Sequence, residues 1–426
     1  MRTYKYERGI ADCNIMNRIV IVGNGFDLSH RLATRYSDFI KWYWDQWVLW
    51  LQNNTSRKVS DDLCIFKTEG DPWSVLLYPL ISPYKKLSGE ELLEMISTLP
   101  GSCSLEKSPL LQRITTSIET MNWVDIENEY YKILKIYSKQ HVELKHIQQL
   151  NKELNYIRHR LLEYFRAINC ADIMPNGSIA KKMLSPISVD EISVSRIPEF
   201  KQYIINGYKD DKALRHKAAR YHEPYDGITM EMSTFECIYQ DQINNAGLES
   251  IPLNSFPGIF KKPERIMLLN FNYTHIADQC LPISSEFEVN HIHGDISYPE
   301  TVIFGYGDEL DDEYKNILSR NENCYLDNIK SIKYLESPNY RRLLQFIESS
   351  PFQVHIMGHS CGNSDRTLLN TIFEHDNCIS VKPYYYVKKD GTDNFMELIQ
   401  NISRNFTDMK KMRDRVVNKT YCEPLV

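Results

Sequence analysis

Apolar residues in this chain come in short runs that stop abruptly at glycine, asparagine or histidine. The first is Ile19-Val20-Ile21-Val22, which ends on Gly23-Asn24-Gly25 and gives way to a helix-like pattern. An apolar run closing on turn formers predicts a strand over Arg18 to Val22. Ser37 then offers an N-cap, and Phe39, Tyr43, Trp47 and Trp50 share one stripe of the following helix, read as core. Further on, Ile147, Leu150, Leu154, Ile157, Leu161, Phe165 and Ile168 recur in steps of three and four. That spacing predicts a long amphipathic helix, one arm of a helical hairpin.

The pattern changes after residue 255. RIMLLNFNYT (265–274), FEVNHIHGDI (287–296), TVIFGYG (301–307), FQVHIMGHS (352–360) and CISVKPYYYV (378–387) are strand-like runs, with helical segments expected from Asp365 to Glu374 and from Asn394 to about Val417. Apolar strands alternating with helices indicate an α/β fold, a doubly wound, mainly parallel Rossmann-like sheet covered on both faces. The strand at residue 19 belongs to the same set. The expected organisation is a polar extension over 1–15 (Met16 offers an alternative start), a nucleotide-binding domain from 16–55 and 256–426, and a helical insertion over 56–255. Within the insertion, residues 176–230 mix glycine, serine, proline and charges and predict no particular element.

Composition narrows the function classes. With 426 residues, 42% hydrophobic, 25% charged and a formal net charge of −6, the chain has a sizeable core and no general attraction for phosphate backbones, so no nucleic-acid partner is expected. No apolar run approaches the roughly 18 residues of a membrane span, and no signal peptide is visible. The ten cysteines (13, 64, 103, 170, 237, 280, 324, 361, 378 and 422) form no C-x-x-C pair. They read as reduced thiols of a cytoplasmic protein rather than zinc ligands.

Candidate chemistry collects where ligands bind in such sheets, beyond the carboxyl ends of the strands. GNGFD, NFNYT, HGD, FGYG and GHS all fall there. Gly23 and Gly25 permit a sharp turn and close approach of a ligand, with a helix N-terminus aimed at an anionic group. Leu28 occupies the third glycine position of G-x-G-x-x-G, so the dehydrogenase fingerprint is not met. Asp27 either favours the helix dipole or, facing the site, binds a sugar hydroxyl or orients water. His291 and His293, two apart on a strand, point the same way and with Asp295 spell H-x-H-x-D, residue types that suit a metal cluster. A second acid/histidine motif at the N-terminal strand is missing, so metal is set aside and His293 is read as a general base. Asp125 and Glu127 in WVDIENEY diverge on a helix and read as first-turn acids.

GNGFDLSHRLATRYSDF, WVDIENEY, LNFNYTH, HIHGD, FGYGD and GHSCGNSD together resemble the bacterial abortive-infection AbiH family, implicated in defence against phage. That family is in turn distantly similar to sirtuin-like NAD-binding proteins. The resemblance implies that Gly23, Asn24 and Gly25 approach a pyrophosphate, that Asn272 positions ribose and water, and that His293 is catalytic. It places Gly358 and Ser360 on a loop at the adenosine end, with Asp365 nearby; Phe26, Tyr273, Gly294 and His359 complete the expected binding set, and Asp27 joins the catalytic one. Phe26-Asp27 and Thr274 depart from the sirtuin-like pattern, and the zinc-ribbon cysteine pairs of protein deacylases are missing, which argues against deacylation.

The expected activity is hydrolysis of the nicotinamide N-glycosidic bond of NAD+, which depletes the cofactor in infected cells. No cofactor beyond NAD+ as substrate and no metal is expected. The partners left open are NAD+ or a related nucleotide, a phage-derived trigger and a second copy of the chain. The alternatives are a metal-dependent phosphoesterase or nuclease toxin and a non-catalytic nucleotide-binding regulatory module.

Overall fold

A computed structural model describes residues 15–53, 56–69, 82, 87–98, 103–121, 125–168 and 173–426. The expected extension over 1–15, apart from Ile15, and cysteines 13 and 170 lie outside these residues. Five strands, β1 (Asn17–Val22), β5 (Ile266–Asn270), β6 (Phe287–His291), β7 (Phe352–Met357) and β8 (Cys378–Tyr384), pair in the order β6-β5-β1-β7-β8. Every pair is parallel. The fold is α/β.

Because side chains alternate across a strand, each strand feeds two cores. Ile19, Ile21, Met267, Leu269, Val354 and Ile356 face helices carrying Leu343, Phe346, Leu369 and Ile402. Val20, Val22, Ile266, Leu268 and Met357 face Phe26, Ile179, Met183 and Tyr221 on the other side. Burial on both faces explains why these strands read as continuous apolar runs.

Between β1 and β5 the chain builds two further cores. Helix Tyr36–Gln52, helix Ile126–Gln140 and helix Leu144–Ala167 share one with a small antiparallel sheet, ordered β2 (Lys58–Ser60), β3 (Cys64–Thr68), β4 (Cys103–Lys107). The other gathers Phe200, Tyr203, Ile204, Phe235, Phe256 and Phe260, and reaches the main sheet through Met16 and Ile379. The expected long helix is present, with Ile147, Leu150, Leu154, Ile157, Leu161 and Phe165 buried and Ile168 as its C-cap. Its hairpin partner is helix Ile126–Gln140, which ends on His141 in the left-handed region (φ 51°).

Several expectations need correction. Helix Tyr36–Gln52 starts one residue before Ser37: its N-cap is Arg35, whose backbone N–H donates to Asp38 (3.1 Å). Trp50 is exposed, because the inward face follows a 3.6-residue period through Trp47, Val48 and Leu51. TVIFGYG forms no strand; its backbone is held by single contacts, Ile303 N–H to the His293 carbonyl and Tyr306 N–H to the Asn328 carbonyl. The helical segment after Asn394 breaks into Phe395–Arg404 and Met409–Arg415, where the Asp408 side chain caps a new start. The antiparallel sheet β2-β3-β4 leaves no signature in the sequence, since strands of three to five mixed residues carry little periodicity.

Candidate functional site

In sequence order the five parallel strands stand third, second, first, fourth, fifth across the sheet. The order reverses between β1 and β7, the switch point where ligands bind in sheets of this kind. The loops leaving these two strands begin at Gly23 and Gly358. They lie against each other: Gly25 N–H donates to the Gly358 carbonyl (2.7 Å) and Gly23 N–H to the Met357 carbonyl (3.3 Å). A Cβ on Gly358, where φ is +77°, would sit 2.1 Å from the Phe26 nitrogen, and one on Gly23 would sit 2.6 Å from the His359 Cα. The glycines are therefore needed for contact between the two loops.

Asp27 follows on the first turn of helix Asn24–Ser29 and is 2% exposed. Asn272 Nδ2 donates to its Oδ1 (3.0 Å) and to the Gly23 carbonyl (3.1 Å); the Thr274 hydroxyl donates to its Oδ2 (2.7 Å). Burial pushes the Asp27 carboxyl up to about 6, against the pull of these two bonds. Asn272 is fixed in turn by β5, whose Asn270 side-chain oxygen accepts the Asn272 N–H (2.9 Å). Thr274, which departs from the sirtuin-like pattern, thus completes the shell around Asp27.

Next to this group lies a second, held by β6 and β7. His293 Nε2 is 3.3 Å from Asp365 Oδ1 and 3.2 Å from the Tyr334 hydroxyl. Asp365 also faces His359 Nε2 (3.5 Å) and accepts from Lys330 Nζ (2.8 Å), which in turn reaches Glu127 (3.0 Å). All six of these charged or titratable side chains are buried. Burial alone would raise Asp365, but Lys330 and His293 hold it well below the usual carboxylate range. Burial and then Lys330 press His293 down to about 4, so its imidazole is neutral at neutral pH. Glu127 is raised by burial to about 8 despite Lys330, so the neutral-pH cluster holds one buried cation and one buried anion. Phe271, the chain neighbour of Asn272, packs on the second group, its ring centroid 5.0 Å from that of His293 and 4.3 Å from that of His359.

Gly23, Gly25, Asp27, Asn272, His293, Gly358, His359 and Asp365 therefore converge on one edge of the sheet. Other candidates do not join them. Phe26 is fully buried in the core on the far face, Asn24 accepts from the Thr34 hydroxyl, and Tyr273 turns to the Ile303 carbonyl and Phe165. Ser360 is exposed, and Gly294 (φ +76°) makes a turn in which a Cβ would meet the Thr301 carbonyl oxygen at 2.3 Å. His291 and His293 do not share partners as strand alternation implied. β6 ends at His291, which pairs with Asp278 (2.9 Å), whereas His293 lies beyond the strand and faces Asp365. His291, His293 and Asp295 thus form no common cluster. A cavity of about 540 Å³ opens behind Ile303, lined also by Asn155, Arg158, Asn328, Lys333 and Glu336, none of them expected from sequence.

Residues 19–386 match the model of the bacteriophage abortive infection AbiH family. The chain belongs to that family. Membership gives it a role in abortive infection by phage. No curated protein and no solved structure matches the chain. Among the described residues, no helix is long and apolar enough to cross a membrane.

In this AbiH-family chain, Lys330 and Tyr334 lie outside the site residues expected from sequence, and Glu127, expected as a first-turn acid, belongs to the cluster. Asp125 does cap its helix, accepting from the Asn128 N–H (3.0 Å), as a first-turn acid should. Glu127 instead leaves the helix surface to accept from the Gly305 N–H (2.9 Å) and Lys330, which explains why FGYG lies beside the site without being a strand end. The one available signal was Lys330 itself, charged between Ile329 and Ile332 in a segment with no other core pattern.

Proposed function

We propose that this AbiH-family protein acts in the cytoplasm as an NAD+ glycohydrolase, cleaving the nicotinamide–ribose bond once infection is sensed and so depleting the cofactor. The observation that carries this reading is the placement of Asn272 and the Gly23 loop beside the His293–Asp365–His359 group, Gly23 lying against His359 and Phe271, next to Asn272 in the chain, packing on His293, at the switch point of a 3-2-1-4-5 parallel sheet. The sirtuin-like order of the motifs supports the same substrate class.

The chemistry follows from which atoms are free. The carboxylate of Asp365, 3.3 Å from His293 Nε2, favours the tautomer protonated there, which leaves Nδ1 as the nitrogen able to take a proton. Both Nδ2 hydrogens of Asn272 are used by Gly23 and Asp27, so its carboxamide presents Oδ1 to a ribose hydroxyl or to water. Water bonds to the ribose C1′ as the C1′–N bond breaks. Nicotinamide leaves neutral with the bonding electron pair, and the proton of the water passes to His293 and then to solvent, giving ADP-ribose. Asp27 acts through Asn272, fixing the amide. The pyridinium needs no general acid, and the reaction requires no further cofactor.

The test is the NAD+ content of phage-infected cells expressing wild type, Asn272→Ala or His293→Ala, with nicotinamide release from purified protein alongside. Wild type should deplete NAD+, and His293→Ala should slow it by at least about a hundredfold, the usual contribution of a positioned base. With His293 held near 4, loss of its basic form should lower the rate only as pH falls toward 4, with no step near the roughly 6.5 of a free imidazole. Equal NAD+ levels with wild type and both variants would reject the proposal and leave a non-catalytic nucleotide-binding role.

A further inference from the structure

Outside the residues assigned above, two imidazoles and a carboxylate converge at the ends of β5 and β6. His275 Nδ1 lies 2.8 Å and His291 Nε2 2.9 Å from the same oxygen, Asp278 Oδ2. The two rings are 4.8 Å apart and tilted by 60°, and one ligand atom from each of the three residues falls within 4.8 Å of the others. We propose that His275, Asp278 and His291 form a binding site for a divalent transition metal of the zinc type.

Three features separate this arrangement from an ordinary surface ion pair. The second oxygen of Asp278 is occupied by Asn270 Nδ2 (3.2 Å), so the carboxylate is turned to offer Oδ2 alone to the point where the imidazoles meet. The far nitrogen of His275, Nε2, faces Asp295 Oδ1 (3.4 Å) and the Ser297 hydroxyl (3.1 Å), the outer-shell acceptors that orient metal-bound imidazoles and raise their basicity. The side chains are graded in exposure, His291 13%, Asp278 22% and His275 44%, so the site is anchored on the sheet and open on one side. Three protein ligands with an open position is the form of a zinc site that holds water or a ligand. Two nitrogens with one oxygen select zinc-like ions over calcium or magnesium, which take oxygen shells.

The spacing His275-x-x-Asp278 is supplied by the turn entering the 3-10 helix Ala277–Cys280, and His291 arrives from the adjacent strand in register with Asn270. Asn270 links this place to the Asn272–Asp27 group, since its side-chain oxygen accepts the Asn272 N–H. The site does not depend on NAD+ cleavage, and its test reads binding rather than turnover.

Purified full chain is stripped with a chelator, dialysed and titrated with Zn2+ against a chromophoric competitor. Co2+ in parallel reports ligand geometry through its visible ligand-field bands. One equivalent should bind per chain, with His275→Ala and Asp278→Asn each weakening it by about a hundredfold and Asp295→Asn by about tenfold. His275 is nearly half exposed, so its variant keeps the fold, checked by an unchanged melting curve in metal-free buffer. Failure of the wild type to bind zinc, or binding that His275→Ala and Asp278→Asn leave unchanged, would overturn the site.

Discussion

Replacing Lys330 by methionine removes the cation from the most deeply buried charged group of the candidate site. Its side chain is 1% exposed, and its ammonium contacts two carboxylates, Asp365 at 2.8 Å and Glu127 at 3.0 Å. Glu127 already tends to be protonated, so the anion left uncompensated is Asp365. Breaking a buried pair by deleting one partner costs about 3–5 kcal/mol. At about 2–4 °C per kcal/mol for a cooperative unit of this size, the melting midpoint at pH 7 should fall by roughly 6–20 °C. The pH dependence carries the sign. In wild type, Asp365 is depressed below its unfolded value, so its stabilising contribution is complete at neutral pH and is lost only as pH falls well below 3.8. Without Lys330, burial governs and raises Asp365, so protonation in acid relieves the variant. The deficit should shrink between pH 7 and pH 4, and Asp365→Asn added to Lys330→Met should restore about half of it at pH 7. Thermal melts of wild type, Lys330→Met and the double variant at both pH values decide the matter. A deficit under about 1 kcal/mol, or one that neither pH nor the second substitution alters, would refute the account of a charge-balanced cluster.

Asp27 gives the opposite pH signature. Its carboxyl is raised from 3.8 to about 6, so its contribution is fully present below 3.8 and is lost as pH rises through 6, a change of about 3 kcal/mol. Asp27→Asn should remove that slope, making the variant gain on wild type between pH 4.5 and 7.5 in melting experiments; parallel curves would contradict it. Gly358→Ala should lower the midpoint by several degrees, a loss of roughly 2 kcal/mol or more, because its φ of +77° is strained for alanine and its Cβ would strike the Phe26 backbone. Gly227→Ala, whose Cβ meets nothing within 4 Å in helix Tyr225–Ala246, should be neutral or stabilising in the same assay.

The amino-acid sequence alone carried the strands of the parallel sheet, because burial on both faces leaves runs such as Ile19 to Val22 and Ile266 to Leu269 with no polar residue to obscure them. It also carried helix Leu144–Ala167, whose buried positions keep a 3.6-residue period, and the loops bearing Gly23, Asn272, His293 and Gly358, since each follows a strand end. What periodicity cannot report is which distant residues meet. Lys330 finds Glu127 across 203 positions and Asp365 across 35, and nothing local marks that the three meet. Alternation paired His291 with His293, yet the strand stops between them and sends one to Asp278 and the other to Asp365. TVIFGYG has a strand's composition but borrows its backbone bonds from His293, Asn328 and Glu127. Local pattern records how far a residue is buried; the crossing of the chain at the sheet edge decides what it is buried against.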